Sequence, residues 1–379
     1  MRGADLHVFR RALLAWFRRH RRDLPWRRTR DPYRVWLSEI MLQQTRVAAV
    51  IPYYTRFLRR FPALRALARA PVRDVLRHWA GLGYYRRARS LHAAAREIVE
   101  RHGGGFPRTR QEALALPGVG RYTAAAVLSI AYHAPLAVVD GNVARVLARL
   151  DGVTGDLRAP RRWKQLECRA QELLAARAPA NWNQAVMELG ATVCTPRAPR
   201  CGECPVARYC RARALGRVDQ IPPVRRKRAP VKMRVAAAVL VDAGGRTLLL
   251  RGNRGAAGEL FSSMWQFPAV EGDADALRWY VAGLNGAPRA EEKTLTQRTR
   301  RKHGEDSPPS ANGTRYIALA TARHAVTFRD ITFLPYLVHV GQLPRIAGAR
   351  AVRLDALDAL PISSATRKIA AAALAHLSK

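Results

Sequence analysis

Four of the five cysteines lie close together: Cys194, Cys201, Cys204 and Cys210 form a C-x6-C-x2-C-x5-C run. Four soft thiolates this close bind zinc or an iron–sulfur cluster. One C-x2-C knuckle flanked by single cysteines departs from the paired knuckles of structural zinc, so the spacing alone favours iron–sulfur and leaves zinc open. The set is too clustered for a secreted disulfide framework and points to a reducing compartment. Arg197, Arg200, Arg208, Arg211 and Arg213 surround the run, so it is expected to face phosphate. Cys168 stands apart and reads as an ordinary thiol.

Charge points the same way. Among the 379 residues, 66 Lys+Arg oppose 28 Asp+Glu, a net charge of +38. Such an excess calls for a polyanionic partner, first of all nucleic acid, and binding that weakens steeply with salt. The longest apolar stretch, around 124–139, is broken by Ser129, His133 and Pro135 and is too short to span a bilayer. No membrane partner is expected, and the chain reads as cytoplasmic. Lysine is scarce, and none precedes Lys164.

Apolar spacing divides the chain. Leu6, Phe9, Leu13, Trp16 and Phe17 recur at helical intervals, as do Val35, Ile40, Met41, Leu42 and Val47. The pattern continues to about residue 215, so 1–215 is expected to be a mostly α domain. Residues 216–231 hold Pro222-Pro223, a run of four basic residues (225–228) and Pro230, which predicts a basic, Pro-rich linker. Beyond it, Val235–Val241, Thr247–Leu250 and Ile331–Val340 read as strands, so 232–379 is expected to be an α+β domain. Its polar stretch 284–314 predicts a disordered insertion.

Leu116-Pro-Gly-Val-Gly-Arg-Tyr-Thr123 joins two helical patterns. Gly118 and Gly120 are expected to permit positive φ, and the following helix, beginning near Arg121, presents free N–H groups to an anion. This predicts a phosphate-holding helix-hairpin-helix. The region is poor in acids, so each one stands out. Glu39 sits in the apolar segment 36–45, where burial would raise its pKa and suit it to act as an acid. Asp140 follows Leu136-Ala-Val-Val139 and precedes Gly141-Asn142, which predicts a buried helix cap.

The segments SEIMLQQT (38–45), GLGYYRRAR (81–89), LPGVGRYTA (116–124) and VVDGNVARVLAR (138–149), followed by the four-cysteine run, occur in this order. Together they resemble the adenine DNA glycosylases of the helix-hairpin-helix superfamily, the MutY type. The resemblance is strong over about 5–215. It implies a 4Fe–4S cluster on the four cysteines. It also implies monofunctional removal of adenine mispaired with 8-oxoguanine or guanine in double-stranded DNA, leaving an abasic site, by a monomeric enzyme of the bacterial nucleoid. Carried onto this chain, Glu39 protonates the adenine N7 and ionised Asp140 stabilises the cationic sugar. Asn142 and Tyr122 assist within the site. Arg22, Trp26, Arg27, Leu42, Gln184 and Met187 line the adenine pocket. Gln44, Leu82 and Tyr84 insert into the duplex, and Gly118, Gly120 and Arg121 hold its backbone. The endonuclease III branch places a Schiff-base lysine where this chain has Tyr122, so strand cleavage is not expected.

Residues 232–379 resemble the family's Nudix-like C-terminal domain through MWQFPAV (264–270). The metal-binding glutamates of Nudix hydrolases are absent, which implies a domain that binds without hydrolysing. The family's 8-oxoguanine loop corresponds to Val326-Thr327-Phe328. Thr327 stands for its serine, and its histidine is missing.

Overall fold

In the computed structural model, residues 3–223, 229–251, 264–284, 314–326 and 328–378 are described. The chain divides into two compact units, Met1–Arg226 and Lys227–Lys379. The expected insertion at 284–314 and Thr327 lie largely or wholly outside the described residues.

The first unit is helical: α1 Ala4–His20, α2 Pro32–Leu42, α3 Val47–Arg60, α4 Leu64–Arg69, α5 Val72–Trp79 and α6 Tyr85–Arg101. It continues through α7 Arg110–Ala115, α8 Arg121–Tyr132, α9 Gly141–Asp151, α10 Pro160–Leu173, α11 Pro179–Thr192 and α12 Arg211–Ala214. Helix α2 starts where the Asp31 carboxylate accepts from the N–H groups of Tyr33 and Arg34, with Pro32 in the first turn. Such a cap is worth about 1 kcal/mol. Residues Val35 to Met41 are all buried, so the helix is surrounded on every side. It lies close to α8, whose Ala124, Ala125 and Ala126 leave room for its larger side chains.

The hairpin between α7 and α8 needs positive φ only at Gly118 (77°), where an added Cβ would lie 2.5 Å from Ser90 Cβ of α6. Gly120 is instead extended, at φ −91°, with open space around its Cα. The expectation of positive φ there is therefore corrected: the turn is complete at Gly118, and Gly120 serves as the N-terminal cap of α8.

The expected linker is corrected only in its first part, because its residues 224–228 lie outside the described residues. Residues 216–223 belong to the first unit, where Val218 and Pro222 are half-buried and Ile221 is buried. Ile221 is 1% exposed and clusters with Ala148 and Ala212. Its carbonyl accepts from Arg149 Nε at 2.7 Å. Proline and basic residues suggested a spacer, but one aliphatic side chain anchors the segment.

The second unit contains a mixed sheet. Its strands are β1 Val231–Val241, β2 Arg246–Arg251, β3 Trp265–Gln266, β4 Ala269–Glu271, β5 Tyr316–Ala318, β6 Ala322–Val326, β7 Arg329–His339 and β8 Arg350–Arg353. The main path is β3-β2-β1-β7-β5, with β1 and β7 parallel from Val231↔Arg329 to Val241↔His339 and the other pairs antiparallel. Strand β1 is buried from Val235 to Val241, as expected of a central strand covered on both faces. Helix α13 (Ala274–Leu284) packs on β1 and β4, and α14 (Ser364–Leu377) on β6 and β7.

Candidate active site

An open cleft of about 520 Å³ lies in the first unit. Glu39, Tyr122, Asp140 and Asn142 line it together, with Arg22, Trp26, Arg27, Leu42, Gln44, Gln184 and Met187. These residues come from segments as distant as 22 and 187, so the fold assembles the site from α2, α8, α9, α11 and the chain before α2.

Glu39 is 7% exposed, on the helix that has no wet face. Burial pushes its carboxyl up to about 7; the Asp140 charge adds to the rise, while a hydrogen bond from Tyr122 and the Arg27 charge oppose it. The Tyr122 hydroxyl donates to Glu39 Oε2 at 2.7 Å and lies 3.3 Å from Met187 Sδ. A carboxyl that ionises near neutrality is suited to give and take a proton.

Asp140 caps α9, as its position before Gly141 suggested. Its Oδ1 accepts from Val143 N at 2.7 Å and its Oδ2 from Asn142 Nδ2 at 3.0 Å. Burial raises its carboxyl above the ordinary aspartate value, against the pull of these N–H donors and of Arg145. Asp140 thus has two N–H donors where Glu39 has one hydroxyl, so Asp140 is the better supported as an anion. Asn142 is fixed in turn. Its Oδ1 accepts from Arg145 Nη2 at 2.9 Å, and the same guanidinium donates to the carbonyls of Gly190 and Cys194, each at 2.9 Å. Helix α11 comes so near α9 here that a Cβ on Gly190 would sit 2.8 Å from Asn142 Cβ.

Two residues of this arrangement escaped the sequence reading. One is Arg145. The other is Glu188, whose side chain is fully buried. Glu188 accepts from Arg22 Nε and Nη2 at 2.8 and 2.7 Å and from Arg27 Nη2 at 2.8 Å. Burial alone would raise its pKa, but these bonds outweigh it and hold the carboxyl at about 2. Glu188 therefore ties the two cationic walls of the cleft together and offsets one of their two charges. An acid within the apolar run 185–191 was the available signal.

The residues expected to insert into a duplex are placed apart from the cleft floor. Gln44 stands at its rim with φ 56°, and Tyr84 is 45% exposed with φ 48°. Leu82 is 7% exposed and belongs to the core. The Leu82 N–H bonds to the Trp79 carbonyl, and of residues 81–84 only Tyr84 has an exposed side chain. Arg121 is exposed and paired with Glu167 at 3.4 Å.

The four cysteines carry no disulfide and are all half-buried. Burial, with repulsion from the other three sulfurs, pushes the Cys204 thiol up to about 11. Four thiols gathered on one loop need a cationic metal body to be held as thiolates. Among the described residues, no three His, Cys, Asp or Glu side chains converge enough to share one metal ion. Four soft thiol donors on one loop are the donor set that an iron–sulfur cluster takes. Arg149, 2% exposed, places Nη1 3.3 Å from Cys194 Sγ and supplies buried positive charge beside it. Such a cluster, when bound, cross-links the loop at four points.

Two family models match the chain: an HhH-GPD superfamily base excision DNA repair protein over residues 37–173, and the iron–sulfur binding domain of endonuclease III over 194–210. The chain is 50% identical over 226 residues to the human adenine DNA glycosylase, covering 57% of this chain and 41% of that protein. It is 31% identical over 274 residues to the adenine DNA glycosylase of Buchnera aphidicola (strain APS), covering 72% of this chain and 77% of that one. The chain belongs to the adenine DNA glycosylase family. It carries a 4Fe–4S cluster, and residues 194–210, with their four cysteines, match the binding domain for it. A thermostable thymine-DNA glycosylase shares the helical fold, with a TM-score of 0.50 and 33% identity over 54% of this chain and 95% of that one. The chain spans about half the length of the first curated adenine DNA glycosylases it matches. Members of the superfamily act on DNA, in keeping with the net charge of +38. No described helix is long and apolar enough to cross a membrane.

Proposed function

We propose that the chain is a monofunctional adenine DNA glycosylase, working as a monomer on double-stranded DNA with adenine opposite 8-oxoguanine or guanine. The observation that carries this reading is the pairing of Glu39, with a pKa of about 7, and N–H-supported Asp140 in one cleft. The adenine must first leave the stack and enter the cleft. Glu39 then donates its proton to N7, so that the C1′–N9 bond breaks and adenine departs as a neutral base. Ionised Asp140 stabilises the positive charge left at C1′ and the ring oxygen. A water adds to C1′ and gives its proton to the Glu39 carboxylate, which restores the acid and leaves an abasic site. Asn142 holds Asp140, and the Glu188–Arg22–Arg27 group shapes the wall beside the base. Among the described residues no lysine lines the cleft, and Tyr122 offers no amine to form a Schiff base and cut the strand.

The cytoplasm around a bacterial nucleoid is the setting that fits this substrate. Readout of 8-oxoguanine belongs, by resemblance, to the loop containing Thr327. The test is single-turnover adenine release from A:8-oxoguanine, A:G and A:C duplexes, assayed with and without alkali. Release from the first two duplexes with strand breaks only after alkali is expected. Breaks that appear without alkali as fast as adenine would refute the monofunctional reading, and no release from any duplex would refute the activity.

A further inference from the structure

Arg87 takes no part in the chemistry above, yet it is bound from several directions. It lies in the first turn of α6, and its guanidinium is half-buried between two loops. Nη1 donates to the carbonyls of Ile40, Met41 and Gln43 at 2.9, 2.9 and 2.5 Å. These groups end α2 and have no partners within it, and a cation suits the negative end of a helix. Nη2 reaches the other way, to Thr45 Oγ1 at 3.2 Å and to the Leu82 and Gly83 carbonyls at 3.3 Å. The guanidinium carbon stands 5.5 Å from the Trp79 ring centre and 5.3 Å from that of Tyr84. Its Nε is buried without an acceptor. A side chain held at that cost is fixed by its other contacts.

The two loops share a second property. Each holds a non-glycine residue in the left-handed region, Gln44 in one and Tyr84 in the other. Such residues persist only where their surroundings over-determine them. Gln44 stands at the rim of the cleft and Tyr84 projects into solvent, while Ile40, whose carbonyl Arg87 holds, directly follows Glu39. One planar fork therefore ties both strained turns to the end of the helix that bears the acid.

We propose that Arg87 is a positioning residue that couples the opening of the duplex to the acid. Through it, the 42–45 and 81–84 turns engage DNA as one body with the end of α2. This rests on the function proposed above. Arg87→Lys separates the two halves of the fork. An ammonium still reaches the α2 carbonyls but cannot span to Leu82 and Gly83. The full chain is assayed under single turnover on an A:G duplex and on one whose adenine faces an abasic gap, where unpairing has already been paid. The variant is expected to lose roughly 10- to 100-fold on the paired duplex and less than about threefold on the gapped one. Equal losses on both would mark a merely structural role and overturn the proposal, as would a paired-duplex rate within about threefold of wild type. Should Arg87→Lys fail to fold, Thr45→Val removes one Nη2 acceptor and is expected to bias the ratio the same way; an unchanged ratio refutes. Failure of the underlying reading looks different: the unaltered protein would then release adenine from neither duplex.

Discussion

Replacing Tyr122 by Phe removes one hydroxyl and tests the acid directly. The hydroxyl lies 2.7 Å from Glu39 Oε2 and favours the ionised carboxylate. A hydrogen bond to a charged acceptor is worth about 1.5–3 kcal/mol. At 1.36 kcal/mol per pKa unit, its loss raises the Glu39 pKa from about 7 by roughly one to two units. The sign is unambiguous. A higher pKa keeps the carboxyl protonated to higher pH, so the alkaline limb of the release rate moves up. With a pKa of about 7, roughly a tenth of the Glu39 side chains hold their proton at about pH 8. After Tyr122→Phe, roughly half or more would do so. The assay is single-turnover adenine release from an A:8-oxoguanine duplex across roughly pH 5.5–9.5, which brackets both values. A limb that stays in place or moves down would refute the reasoning, because the group titrating in the rate would then not be the one that Tyr122 touches.

Other substitutions read the same site through stability. Since the Glu39 pKa rises from 4.5 in the unfolded chain to about 7 in the fold, the unfolded chain ionises first, and stability is lost as pH climbs through that window. Glu39→Gln should therefore stabilise the protein by about 3 kcal/mol at about pH 8 and by under about 1 kcal/mol at about pH 5, while abolishing adenine release. Denaturant midpoints at the two pH values check this, and an equal gain at both would count against a buried, titrating acid. Gly190→Ala forces a Cβ to within 2.8 Å of Asn142 Cβ. It should cost about 1–3 kcal/mol in overpacking and slow release roughly 10- to 100-fold by displacing Asn142 from Asp140. A normal rate in a correctly folded protein would show that Asn142 does not set the position of Asp140.

Much of this was legible in the residue order because it is local. Asp140 could be read as a cap from the apolar run before it and Gly141 after it, and it caps α9. Glu39 could be read as a perturbed acid because Val35, Trp36, Leu37, Ile40, Met41 and Leu42 surround it on a mainly apolar helix. The strands of the second unit were visible as apolar runs, though β1 begins at Val231 and β7 at Arg329, ahead of the expected Val235 and Ile331, and the two pair in parallel from those first residues. What escaped depends on contacts between distant segments. Glu188 meets Arg22 across 166 residues, and Arg87 meets Ile40 across 47. No local pattern distinguishes such an arginine from the many that simply cover a basic surface. Leu82 differs for the opposite reason: a leucine between two glycines looks free to project, but its side chain packs into the core.

The packing of Ile221 fixes where this protein can be cut. A fragment stopping at residue 215 would keep every cysteine, yet it would deprive Arg149 of the carbonyl that its Nε holds at 2.7 Å and bare the hydrophobic seat beneath Ala148 and Ala212. An isolated catalytic half must run through residue 223 to keep that guanidinium satisfied beside the metal loop. The short tail after α12, through Ile221, is thus a clasp that closes the first domain.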